Sequence, residues 1–182
     1  MIFKIALSVA VVIVALLVFA ARKPNSFRVQ RYISIHARQE KVFALINDLH
    51  SWEAWSDEGG ENKMAQKTYS GPASGLDAAV EWHSSGRAGA ANMTINESVS
   101  PSKVSVTVDW LRPFKAHNLN EFTIRGQGDE TEVTWSIQAS NLYLMKLAGI
   151  FVNIPSTFGT HMESALRNLK SVAESKRSEP IV

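Results

Sequence analysis

FGTHMESALRNLKSVAE, residues 158–174, is the stretch whose reading decides the fold. Phe158, Met162, Ala165, Leu166, Leu169, Val172 and Ala173 recur at helical spacing and share one face. Glu163, Arg167, Lys170 and Glu174 take the opposite face, with Glu163 and Arg167 in the favourable i, i+4 order. No other long amphipathic helix is evident in the chain, and this one comes last. Upstream, the segments Lys67–Ser70, Ala78–His83, Ala91–Val99, Lys103–Trp110, Ala116–Arg125 and Thr131–Ala139 are separated by short breaks, among them Gly71-Pro72, Pro101-Ser102, Pro113 and Gly126–Glu130. Short connections between successive strands predict an antiparallel meander. Such a sheet must bury one face, and the late helix is the element available to cover it. The expectation is an α+β domain in which a curved antiparallel sheet wraps around a long C-terminal helix. The space between them is the usual place for a small-molecule pocket.

The elements before the meander fit the same plan. Phe27, Val29, Ile33 and Ile35 alternate with Arg28, Gln30 and Ser34, the period of a strand. Val42, Phe43, Leu45, Ile46 and Leu49 form a helical stripe over Gln39–Leu49, and Trp52 and Trp55 suggest a short further turn. Ser56–Gln66 is polar and reads as a loop. Leu142–Asn153 reads as a short, mostly apolar helix, stopped by Pro155, which is also placed to open the next helix.

The N-terminus is of another kind. Between Lys4 and Arg22-Lys23, the run Ile5–Ala21 has no charge and one hydroxyl, Ser8. As a helix it would rise roughly 25 Å, enough for a thin bilayer core. This predicts a single-pass anchor over 1–23, a short linker at 24–26, one domain at 27–176 and a tail at 177–182. The alternative is a cleaved signal peptide, for which Val18-Phe19-Ala20 offers a small-x-small site. The basic residues that follow the run favour a cytoplasmic domain by the positive-inside rule. Without residues 1–23 the chain carries 16 basic and 17 acidic residues, which lacks the footprint of a nucleic-acid binder. The absence of cysteine excludes a disulfide scaffold and suits either compartment. Nothing in the sequence fixes the oligomeric state.

The segments YISIHARQEKVFALINDLHSWEAWS (Tyr32–Ser56), TYSGPASG (Thr68–Gly75), LRPFKAHNLNEFTI (Leu111–Ile124) and TEVTWSI (Thr131–Ile137) resemble the START-like or Bet v 1-like (SRPBCC) superfamily. The resemblance is to its bacterial polyketide cyclase/dehydrase-type branch and runs from about Phe27 to Glu174. Where the family usually carries a proline at the first strand–helix junction, this chain has Ala37-Arg38. The resemblance implies a helix-grip fold and a hydrophobic ligand, lipid or isoprenoid- or polyketide-like, held between sheet and helix. Some members of the family catalyse cyclisation or dehydration.

Strand parity proposes the lining. Val80 and Trp82, Met93 and Ile95, Val104 to Trp110 in alternation, and Val133, Trp135 and Ile137 are the apolar sides and should face the helix. Phe122 and Ile124 share a side with Asn118 and Asn120, so two amides are expected inside, where they need partners. Ligand polar groups or water could supply these, or a bulge could turn the amides outward. The candidate ligand-binding residues are Trp82, Met93, Trp110, Asn118, Asn120, Phe122, Trp135, Phe158 and Met162, the last two at the mouth. The tryptophans serve equally as plain core.

Acid–base chemistry has little to draw on. Glu81, His83, Asp109, His117 and Glu121 all have the outward parity, and His117 with Glu121 would have to turn inward to serve a cyclase or dehydratase. The five histidines lack metal-ligand spacing, and no metal or cofactor is expected. The sequons at Asn92–Thr94 and Asn96–Ser98 fall mid-strand and read as chance matches. The sequence therefore supports a membrane-tethered binding domain for a hydrophobic small molecule. A cyclase/dehydratase using the same cavity and a ligand-free anchored interaction module are the alternatives.

Overall fold

The computed structural model describes residues 2–56, 66–83, 89–112, 115–150 and 152–175. The loop expected over 56–66, the break at Pro113 and the tail at 177–182 lie largely or wholly outside them. Helix α1 spans Ile2–Ala21, strand β1 Ser26–Ile35 and helix α2 Gln39–Asn47, followed by a 3-10 turn at Ser51–Ala54. Strands β2 (Gln66–Ser70), β3 (Ala79–His83), β4 (Ala90–Val99), β5 (Lys103–Arg112), β6 (Ala116–Gln127) and β7 (Glu130–Ser140) form the meander. Helices α3 (Tyr143–Ala148) and α4 (Ile154–Glu174) follow the meander.

The seven strands form one antiparallel sheet in the order β1-β7-β6-β5-β4-β3-β2. Only β1 is out of sequence, closing the sheet against β7. The alternation read from sequence is the alternation of burial: in β6, Asn118, Asn120, Phe122 and Ile124 are buried while His117 is exposed. Met162, Ala165, Leu166, Leu169 and Ala173 of α4 bury against this inner face, as the spacing predicts. This is the α+β helix-grip arrangement. Two local differences have physical causes. Helix α3 covers six residues rather than the expected run to Asn153, while α4 opens where Pro155 is placed to open it. Pro155 sits in its first turn, and the Asn153 side chain caps it by accepting from the Ser156 amide at 3.1 Å. Glu163 pairs not with Arg167 but with Arg31 of β1, whose Nε lies 2.6 Å from its carboxylate. Arg31 has the inward parity of β1, so its long side chain must cross α4 to reach solvent.

Helix α1 is long and apolar enough to cross a membrane over Phe3–Ala21, and its apolar side chains are mostly exposed. It is not detached from the domain. Helix α3 packs against it, and the Tyr143 hydroxyl donates to the Leu17 carbonyl at 3.0 Å.

Candidate functional site

The strand register sorts the predicted lining into two groups. Phe27 pairs with Ala139, which pairs with Asn118, which pairs with Val108, which pairs with Met93. One step nearer the same end, Trp110 pairs with Ala116 and Ala91, and Ala91 with Trp82. Thus Trp82, Met93, Trp110 and Asn118 lie toward the end of the sheet where α1 hands over to β1. Phe122 and Trp135 pair with each other farther along, toward the other end.

That deeper group is closed. Trp52 and Trp55, delivered by the turn after α2, meet Phe122 edge-on with ring centroids 5.7 and 6.2 Å apart, and Phe122 stacks on Trp135 at 5.0 Å. The indoles of Trp52 and Trp55 donate to the Ile46 and Leu45 carbonyls, which fixes the turn against α2. Asn120 is satisfied within this plug, accepting from Trp135 Nε1 at 3.1 Å. Met162 is almost wholly buried above it.

The group at the α1 end is arranged differently. In the amide orientation that satisfies both its ends, Asn118 donates to the His117 carbonyl at 3.0 Å and accepts from Trp110 Nε1 at 3.1 Å. Trp82 stands edge-on to Trp110 at 5.7 Å, and its buried indole N–H has no acceptor among the described residues. A buried donor left unmatched costs about 1–3 kcal/mol, so this end holds polar capacity that a ligand could use. Phe158 is half-buried and meets Phe27 edge-on at 5.3 Å.

Beside Phe27 a cleft of about 520 Å³ opens between the end of α1, the start of β1, α3 and the first turn of α4. Phe27, Met145, Ile150 and Ile154 supply apolar walls, and Lys23, Lys146, Asn141 and Asn153 supply polar ones. Sequence reasoning placed the mouth at Phe158 and Met162 and did not find these residues, because they come from four segments that only the fold assembles. One signal was present: Met1–Gln39 and Val133–Met162 contain no acidic residue.

The two candidates for acid–base work lie on the outer face. His117 Nδ1 is 2.7 Å from the Asp109 carboxylate, and Glu121 pairs with Arg28 at 3.6 Å and Lys103 at 3.8 Å. The sheet separates both from the side that α4 covers. Displaced ionisation is likewise found away from the lining. Hydrogen bonds from Lys67 and Tyr69 hold the Glu53 carboxyl below its usual range. Burial, helped by the Glu53 hydrogen bond, pushes the Tyr69 phenol up to about 12. Burial alone would raise Asp48, but hydrogen bonds from Ser51 and His50 outweigh it and keep that carboxyl low. Among the described residues, no three His, Asp or Glu side chains gather as a metal site would need.

The family described as polyketide cyclase/dehydrase and lipid transport matches residues 26–174. No curated protein matches the chain in sequence. Among solved structures, ginseng major latex-like protein 151 from Panax ginseng is similar, with a TM-score of 0.59 at 14% identity over 84% of this chain and 100% of its own. A hypothetical protein from Helicobacter pylori gives 0.63 at 8% identity over 81% and 88%. The Aha1 dimer from Colwellia psychrerythraea gives 0.55 at 15% over 81% and 96%. At these identities the likeness is one of fold.

Proposed function

We propose, from the premise that the chain belongs to the polyketide cyclase/dehydrase and lipid transport family, that it is a membrane-tethered domain that holds an apolar small molecule, lipid or isoprenoid-like. The ligand occupies the α1 end of the sheet–helix space, near Trp82, Met93, Trp110, Asn118 and Phe158, and gains access through the cleft beside Phe27. Phe122, Asn120, Trp135 and Met162 form the floor against which it stops. Holding is by enclosure: each Å² of apolar surface withdrawn from water contributes about 25 cal/mol. The observation that carries this reading is the asymmetry of the lining. One end is plugged by tryptophans, and the other has a buried donor unmatched among the described residues and a cleft beside an apolar helix. A tether there keeps the mouth near the bilayer and shortens a lipid's path through water. The domain faces the cytoplasm in this reading, as the cations after α1 favour.

The test is native mass spectrometry with lipid extraction on the full-length protein from its own membranes. One apolar molecule per chain is expected, and Ile154→Trp, which fills the cleft, should remove it without unfolding the domain. A wild-type protein that carries nothing would overturn the reading.

A further inference from the structure

The cleft has a charge problem that the apolar walls do not explain. Lys146 retains only 5% of its exposure, and its ammonium donates to the Asn25 side-chain oxygen at 2.5 Å. Lys23, on the opposite wall, donates to the Gly149 carbonyl at 2.6 Å. Both partners are neutral, and neither lysine is in an ion pair among the described residues. A buried cation is costly unless it is paired. Neither stretch that builds the cleft supplies an acidic residue, and the other contact of the Lys23 ammonium is the neutral Phe19 ring, 5.6 Å away. An ammonium has three donors, and each lysine spends only one on these contacts. The first turn of α4 adds no free donor, since Pro155 has no N–H, and Ser156 and Thr157 donate to Asn153.

Position adds a second argument. Helix α1 has 20 residues. At 1.5 Å per residue it is about 30 Å long, the thickness of a bilayer's hydrocarbon core. With α1 spanning a bilayer, Lys23, two residues past its end, would reach the depth of lipid phosphates. Val152 lines the cleft, and Tyr143 and Leu144 stand on α3, the helix that forms one of its walls; each is about half exposed. Tyrosine with apolar neighbours suits the membrane interface.

We propose that Lys23 and Lys146 bind the phosphate headgroup of an anionic amphiphile, whose apolar part continues past Phe27 toward the sheet–helix space. This rests on the apolar-ligand reading above and narrows its ligand to a phosphate-bearing class. The cleft's 520 Å³ falls within the range of small-molecule pockets, about 300–1,000 Å³, and so takes a headgroup with the start of a chain.

Full-length protein in detergent micelles, offered dioleoyl phosphatidic acid, dioleoyl glycerol or inorganic phosphate, provides the test by native mass spectrometry. One phosphatidic acid per chain is expected, retained at least about tenfold better than the diacylglycerol, as two charge-assisted hydrogen bonds would give. Lys23→Gln and Lys146→Gln should each lower that retention about tenfold, and Lys146→Arg should restore it. Lys23 is half-buried on the surface, so its variant reports on the site even if the Lys146 variants disturb folding. Equal retention of the two lipids, or no response to the lysine variants, would overturn the headgroup site. Displacement of phosphatidic acid by inorganic phosphate would also overturn it, in favour of a free-anion site. If neither test lipid binds while the native extract still yields an apolar molecule, the headgroup inference fails alone. If the native extract is empty too, the apolar-ligand reading fails with it.

Discussion

Asn118 and Asn120 show how a single side chain can be right in direction and undetermined in partner. Both point inward, and both are satisfied by tryptophan indoles, Trp110 and Trp135, two side chains with a donor and no acceptor. Asn120→Ala should therefore leave the Trp135 N–H buried and unmatched. A loss of about 1–3 kcal/mol in denaturant unfolding is expected, with no change in membrane association. Tyr69 makes a second residue-scale prediction. Desolvation and the Glu53 hydrogen bond favour the neutral phenol, whose ionisation is pushed up to about 12. Its folded value is raised above the unfolded one, about 10, so its contribution is complete below pH 10 and is lost as pH rises toward 12. The difference in absorbance at 295 nm between wild type and Tyr69→Phe should titrate near 12.

At the scale of elements, α4 and β1 are coupled through a glycine. A Cβ on Gly159 would come 2.1 Å from the Arg31 guanidinium, which crosses that point on its way to Glu163. Alanine in a helix interior gains about 1 kcal/mol over glycine, while a half-exposed ion pair contributes about 0–1 kcal/mol. Gly159→Ala alone should therefore change stability little, the gain offsetting the displaced pair. In an Arg31→Ala background, where the obstruction is gone, the same substitution should stabilise by about 1 kcal/mol in thermal or denaturant unfolding. An equal effect in both backgrounds would mean that Arg31 does not set the need for glycine.

The whole molecule joins a grip domain to an apolar helix through fixed contacts rather than a free tether. Lys23 binds Gly149, Asn141 donates to the Pro24 carbonyl, and Tyr143 reaches Leu17. These hold residues 24–26 against the domain, so the cleft keeps its place at the end of α1. If α1 is an uncleaved anchor, the full chain should remain in the membrane pellet after alkaline carbonate extraction. Deletion of residues 2–21 should release a folded domain to the supernatant. Release of the intact chain by carbonate, or recovery of a protein beginning near Ala21, would favour a signal sequence.

The sequence by itself determined what depends on period. Alternation fixed which side of each strand is buried, down to the two inward asparagines, because a strand's side chains can only alternate. Helical spacing fixed the gripping face of α4, and an uninterrupted apolar run marked α1. Tertiary structure alone decided what depends on pairs distant in the chain. Glu163 took Arg31 over Arg167, because a side chain 132 residues away in sequence lay beneath it. The aromatic plug required α2 and its turn to deliver Trp52 and Trp55 onto Phe122 and Trp135. The cleft required four segments to bring Lys23 and Lys146 to its walls, and no local pattern records a cavity, because a cavity is the space that packed elements leave between them.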